Sequence, residues 1–182
     1  MTLKITSIVV AVLIVVIWFL AATGPNTFSV SRSISIRAPA ERIFPLINDL
    51  RSFTTWSPYE KKDPAMTRAF SDPESGPGAV YDFAGNSQVG TGRVTITNAS
   101  PPTQVTMTLD MLTPMKTHNV IEFTLTPDAN GTIVTWNMRG PRTFVTKVLN
   151  LFIDTDKIVS SDFEAGLASL KAIASGDTND RQ

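Results

Sequence analysis

The feature that most constrains the fold is a long amphipathic run near the C-terminus, at residues 141–175. Its apolar residues recur at steps of three, four or seven, which places them on one face of an α-helix. They are Phe144, Val148, Leu151, Phe152, Val159, Phe163, Leu167, Leu170 and Ile173. A helix with one apolar face needs another part of the chain to cover that face. The residues that precede it must therefore supply a matching surface.

The apolar stripe lapses at residues 154–156, where two aspartates flank a threonine. This interruption predicts two helical pieces, about 143–153 and 158–175, with a bend or short break between them. The second piece contains Phe163, Leu167 and Leu170. We expect this second piece to be the one that the rest of the domain covers.

Apolar and polar residues alternate through much of residues 28–139, which is the pattern of half-buried β-strands. A short or bent helix is expected at residues 40–50, because Pro45 interrupts an apolar helical pattern there. The order of strand, helices, further strands and long helix predicts an α+β fold. Its predicted form is a curved antiparallel sheet of about six to seven strands wrapped around the C-terminal helix.

Residues 5–22 contain no charged residue and are apolar apart from Thr6 and Ser7. A helix of this length spans about 27 Å, close to the hydrocarbon thickness of a bilayer. We therefore expect an uncleaved, single-pass membrane anchor; the alternatives are a cleaved signal peptide and a buried core helix. Lys4 on the short N-terminal side predicts that the domain lies outside the cytoplasm. The expected divisions are an anchor and linker (1–25), one domain (26–176) and a disordered tail (177–182).

Composition excludes several classes of function. Sixteen basic and sixteen acidic residues cancel, so nothing favours a nucleic-acid partner. The chain has no cysteine and one histidine, His118, which excludes zinc–thiolate sites and histidine-rich metal sites. No metal or cofactor is expected.

Five short motifs carry a family resemblance. They are IRAPAERIF at 36–44, FTTWSPY at 53–59, GPGAVY at 76–81, TIVTWNMRG at 132–140 and DFEAGL at 162–167. In this order they resemble the SRPBCC superfamily, also called START-like or Bet v 1-like, and its polyketide cyclase/dehydrase and lipid-transport branch. The resemblance covers about residues 28–175; Tyr59 departs from it, since tryptophan is common at that position. It implies a helix-grip fold with a hydrophobic cavity between sheet and helix, but no single activity.

Large aromatic and methionine side chains are the candidate lining of that cavity, and their alternative role is simple core packing. The candidates are Trp56, Tyr59, Tyr81, Phe83, Met107, Met111, Phe123, Trp136, Met138, Phe163 and Leu167. Residues 143–153 become a candidate lid over the cavity mouth.

The acid–base candidates are predicted to lie on the outer, solvent-facing side of their strands. His118 and Glu122 share the outward parity of their strand, and Asp110 that of the strand before it. Arg32 interrupts an apolar row and could meet an anionic head group or lie at an exposed strand end. No catalytic residue is assigned.

These observations favour a membrane-anchored domain that binds a hydrophobic small molecule or lipid. A first alternative is a polyketide cyclase/dehydratase-like enzyme, which would need a polar group that points into the cavity. A second is a protein-interaction module with a closed core.

Overall fold

The computed structural model describes residues 2–151 and 153–176, except for the side chains of residues 2–5, 7–10 and 13. Six helices occur in this part of the chain: α1 Thr2–Thr23, α2 Ala40–Asn48, α3 Leu50–Trp56, α4 Pro58–Lys62, α5 Phe144–Asn150 and α6 Thr155–Ser175. The seven strands are β1 Thr27–Ile36, β2 Thr67–Ser71, β3 Val80–Ala84, β4 Thr91–Ser100, β5 Gln104–Thr113, β6 Thr117–Asp128 and β7 Gly131–Pro141. The expected tail at 177–182, and Phe152 of the apolar stripe, lie outside the described residues.

The strands form one open antiparallel sheet in the order β1-β7-β6-β5-β4-β3-β2. Strand β1, the first in the chain, pairs along its whole length with the last, β7, from Thr27 opposite Pro141 to Ile36 opposite Thr132. The other pairs are neighbours in sequence, as expected for successive hairpins. The prediction of an α+β fold with six to seven strands is confirmed. The short strand β2 was not predicted, because its sequence, TRAFS, has a single large apolar residue, Phe70.

Helices α2 to α4 connect β1 to β2. Pro45 lies inside α2, and this helix ends three residues later at Asn48. Asp49 then caps α3, because its Oδ1 accepts hydrogen bonds from the backbone N–H groups of Arg51 at 2.8 Å and Ser52 at 3.0 Å. The expected bent helix is therefore two short helices joined at a capping residue.

The predicted break in the C-terminal run is confirmed. Helix α6 begins three residues earlier than expected because Asp154 accepts a hydrogen bond from the backbone N–H of Lys157 at 2.9 Å. Phe163, Leu167 and Leu170 are fully buried, so α6 is the piece that the sheet covers. Gly166 allows its close approach, since a Cβ there would lie 2.9 Å from Trp136 Cζ3 and from Pro58 Cδ.

The segment expected to cross a membrane is helical and forms α1. Its function as a transmembrane helix is not confirmed: within the described residues, no helix meets the length and apolarity needed to cross a bilayer.

Candidate ligand-binding cavity

A cavity of about 670 Å³ lies between the inner face of the sheet and helices α4 and α6. Most of its wall is apolar and comes from β3 to β7 and from the first turns of α6. The apolar lining includes Met66, Phe83, Val94, Leu109, Met111, Ile121, Met138, Ile158 and Val159. Its size is within the range of small-molecule sites in proteins.

The structure divides the candidate lining residues into two groups. Six line the cavity: Tyr59, Tyr81, Phe83, Met111, Trp136 and Met138. The other five are packed in the core and do not line it: Trp56, Met107, Phe123, Phe163 and Leu167. Trp56, for example, donates from Nε1 to the backbone oxygen of Leu46 at 2.7 Å and meets the ring of Phe123 edge-on.

This division follows position along the strands. Leu109 pairs with Val94, and Ile121 with Met138; these residues form the wall. Further along the same strands, Phe123 pairs with Trp136 and with Val105, where aromatic rings fill the interior. Strand alternation identifies the inner face of a sheet, but it does not show where along that face the core gives way to a cavity.

Glu60 of α4 contributes a carboxylate to the cavity wall. It accepts a hydrogen bond from the Tyr81 hydroxyl at 2.6 Å and another from Arg68 Nε at 2.7 Å. Burial and the hydrogen bond to Glu60 raise the pKa of Tyr81 above its usual range, so this hydroxyl stays protonated and donates. Sequence reasoning missed Glu60, because nothing in a five-residue helix indicates which side faces the interior.

A second charged pair joins α4 to α6. Lys62 Nζ donates to Asp162 Oδ2 at 2.6 Å and lies 5.2 Å from the centre of the Tyr59 ring. Burial and the negative charge of Asp162 raise the pKa of Tyr59 above its usual range. The charged side chains of the wall, Glu60, Lys62 and Asp162, therefore lie where α4 meets α6.

Asn119 is a buried polar side chain on β6, and strand alternation alone predicts that it points inward. It shares the inward face of β6 with Ile121 and Phe123, and it is 6% exposed. Its Oδ1 is buried and has no hydrogen-bond partner among the described residues. Gly140 makes room for it, since a Cβ at that position would lie 2.0 Å from Oδ1. The indole N–H of Trp136 is likewise buried and unpartnered among these residues.

Asn119 also borders a smaller cavity of about 210 Å³ near the break between α5 and α6. Asn119, Met138, Thr155 and Val159 line both cavities, which are therefore adjacent. The smaller one has a more polar lining, which includes Thr117, Arg142, Thr146, Asn150 and Asp156. The expected lid does not cover the larger cavity: among the described residues of 143–153, only Ile153 lines it.

The outward-facing candidates lie on the surface as expected. His118 is 62% exposed, and its Nδ1 lies 2.6 Å from Asp110 Oδ1. Arg32 Nε donates to Glu164 Oε1 of α6 at 2.7 Å, which joins β1 to α6 rather than serving a cavity mouth. Within the described part of the chain, no three acidic or histidine side chains are grouped as metal ligands.

A seven-stranded antiparallel sheet closed by a C-terminal helix over an apolar cavity defines a helix-grip domain suited to hydrophobic ligands. The sequence of residues 27–175 matches the family model described as "Polyketide cyclase / dehydrase and lipid transport". The chain therefore belongs to this family, within the SRPBCC, START-like or Bet v 1-like superfamily.

Solved structures support the same fold. The Aha1 dimer from Colwellia psychrerythraea matches with a TM-score of 0.60 and 19% identity, over 84% of this chain and 99% of that one. CalU16 from Micromonospora echinospora matches with a TM-score of 0.52 and 14% identity, over 83% and 77% of the two chains. Ara h 8.0201 matches with a TM-score of 0.56 and 11% identity, over 81% and 97%. A search of curated proteins found no match.

Proposed function

We propose that this protein binds a hydrophobic small molecule or lipid in the larger cavity and holds it beside a membrane. The observation that carries the proposal is the 670 Å³ apolar cavity beneath α6. Removing apolar surface from water is favourable by about 25 cal/mol per Å², so such a cavity provides a driving force for uptake. A protein-interaction module with a closed core does not fit a cavity of this size.

Native mass spectrometry of the full chain, followed by identification of the co-purifying molecule, tests ligand binding. A Leu109→Trp variant places a larger side chain on the cavity wall and should lose the bound mass. Thr108→Trp is the matched control, because Thr108 is the next residue and faces the outer side of the same strand. Thermal melting of both variants shows that they fold. If no bound mass appears, or if both variants retain it equally, the cavity is not the binding site.

A second candidate function is catalysis on an apolar substrate in the same cavity. The observation that favours it is the Glu60–Tyr81 hydrogen bond, because it places a carboxylate and a protonated hydroxyl together on the wall. Both oxygens of Glu60 already accept hydrogen bonds, one from Tyr81 and one from Arg68, which makes the carboxylate a poor general base. Binding is therefore the better-supported function. Turnover of a bound molecule that disappears in Glu60→Gln, while binding persists, would reverse this order.

The membrane association is also a proposal, and it rests on composition. Residues 5–22 carry no charge, and the described side chains of α1 include Trp18 and Phe19, which are about 60% exposed. Exposed aromatic side chains of this kind favour a membrane interface. Mass measurement of the mature chain separates an uncleaved anchor from a cleaved signal peptide.

We place the domain outside the cytoplasm, with the N-terminus inside. Because the chain has no cysteine, a single Ala129→Cys substitution in the exposed β6–β7 turn gives one labelling site. A membrane-impermeant maleimide should label this variant in intact cells. Labelling only after lysis would reverse the orientation.

A further inference from the structure

We infer that the ligand is a single-chain amphiphile whose tail lies in the larger cavity and whose anionic head, a carboxylate or a phosphate, binds at Arg142 in the smaller one. This inference rests on the proposed function and specifies the chemistry of the ligand.

The two cavities differ in polarity and share a wall. The larger one is lined mainly by aliphatic, aromatic and methionine side chains. The smaller one is lined by hydroxyl, amide and guanidinium groups and by the Asp156 carboxylate, which Arg142 already pairs with, as well as by Phe28, Met138, Pro141 and Val159. A molecule with one apolar and one polar end matches this arrangement better than a uniformly apolar molecule does.

Arg142 supplies the charge at the polar end. It follows β7, and its side chain is only 14% exposed. One guanidinium nitrogen, Nη2, donates to Asp156 of α6. Nε is buried and has no partner among the described residues. A guanidinium has five N–H donors in a planar fork that suits carboxylate and phosphate oxygens, so this one has donors to offer an anionic head group.

Asn119 lies between the two ends. Its amide Nδ2 donates to Thr117 Oγ1 at 3.3 Å, a long hydrogen bond, while Oδ1 is unpartnered among the described residues. The Thr117 hydroxyl can serve either amide atom, so either orientation of the amide leaves one polar atom open to a ligand. The polar group at the junction therefore also favours a ligand with its head at this end.

Competition between two matched probes tests the inference. The full chain is incubated with equal amounts of dodecanoate and methyl dodecanoate, which share a chain and differ in the charge of the head. Native mass spectrometry then measures the ratio of the two bound species. A hydrogen bond from Arg142 to the charged head should make dodecanoate bind roughly tenfold, or more, tighter than its methyl ester. A parallel measurement with dodecyl phosphate shows which anionic head binds more tightly.

Substitutions of Arg142 test whether this residue causes the preference for the charged head. Arg142→Met should bring the ratio close to one while the ester still binds, and Arg142→Lys, which keeps the charge, should retain part of the preference. Arg139→Met is the matched control, because Arg139 is an exposed arginine on β7, the strand that Arg142 follows, and the preference should remain unchanged there. Melting temperatures show that the Arg142 variants remain folded after the contact with Asp156 is lost.

Two results overturn the inference and are distinguishable. Equal binding of acid and ester, unaffected by Arg142→Met, means that the cavity binds apolar molecules without a head-group site; the proposed function then stands and the inference fails. Binding of neither probe means that the larger cavity does not take an acyl chain; the inference then fails, and the proposed function is decided separately by the co-purifying molecule.

Discussion

Trp136 of β7 and Phe163 of α6 lie parallel, with their ring centroids 4.0 Å apart and their planes inclined by 9°. Both side chains are fully buried. Trp136 also meets Trp56 of α3 edge-on, with the centroids 5.6 Å apart. The stack therefore joins the sheet, the C-terminal helix and the connecting helices at one point, directly beside the cavity that Trp136 helps to line.

Removing the Phe163 ring should be among the most destabilising single changes in the domain. Phe163→Ala leaves a void beside Trp136, and losses for buried Phe→Ala substitutions are about 3–5 kcal/mol. Phe163→Leu keeps most of the volume and should cost less. Chemical denaturation measures both. A loss below about 1 kcal/mol for the alanine variant would mean that the stack does not hold α6 to the sheet.

Gly166→Ala should destabilise the domain although alanine is the better helix former. A Cβ at this position would lie 2.9 Å from Trp136 Cζ3 and from Pro58 Cδ, so α6 must move or its neighbours must shift. Overpacking of this kind destabilises a protein by about 1–3 kcal/mol, more than the roughly 1 kcal/mol by which alanine stabilises a helix relative to glycine. The matched variant is Ala168→Gly, at an exposed position of the same helix, which should show the propensity term alone. A more stable Gly166→Ala variant would contradict the close contact.

The sequence predicted the order and faces of these elements because alternation and helical spacing depend only on which side of an element is buried. It therefore identified Phe163, Leu167 and Leu170 as the gripped face of α6. It did not separate cavity from core, since Met107 and Met111 have the same parity on β5 and only their distance from the aromatic cluster distinguishes them.

The polar residues of the site were harder to predict for different reasons. The inward direction of Asn119 could be predicted from the sequence, because it has the same strand parity as Ile121 and Phe123. Glu60 lies in a helix too short to show a period. Arg142 lies just beyond the last strand, where no pattern assigns a direction to a side chain, and its burial depends on α5 and α6 folding back over it.

The stability of the domain should fall as the pH rises above about 10. Tyr59 and Tyr81 are the two tyrosines of the chain, and the pKa of each is raised in the folded state. Below the ordinary tyrosine pKa of about 10 both states keep the phenolic protons, so the full stability is present. Above it, the unfolded state loses these protons while the folded state keeps them, and unfolding becomes more favourable.

Absorbance of tyrosinate, followed together with far-ultraviolet circular dichroism, measures this effect. The tyrosinate signal should appear in the same transition as the loss of secondary structure, and Tyr59→Phe should halve its amplitude. Ionisation of either tyrosine in the intact fold would show that its ring is more accessible than the structure indicates.

His118→Ala should leave both stability and ligand binding unchanged. The ring is on the outer face of β6, and its contact with Asp110 is exposed to solvent, where such pairs contribute about 0–1 kcal/mol. Denaturation and the native mass spectrum of the variant measure the two properties. Loss of the bound molecule in this variant would mean that ligand also binds on the outer face of the sheet.

The pairing of β1 with β7 also determines how α1 is connected to the rest of the protein. Just after α1, the Asn26 backbone oxygen accepts a hydrogen bond from the Arg142 backbone N–H at 2.7 Å. Lys147 Nζ of α5 donates to the Gly24 oxygen at 2.8 Å and to Asn26 Oδ1 at 2.7 Å. The linker is thus held at Gly24 and Asn26 by Lys147, and at Asn26 also by the backbone of Arg142, whose side chain borders the smaller cavity. These three hydrogen bonds set the direction in which α1 leaves the domain relative to that cavity.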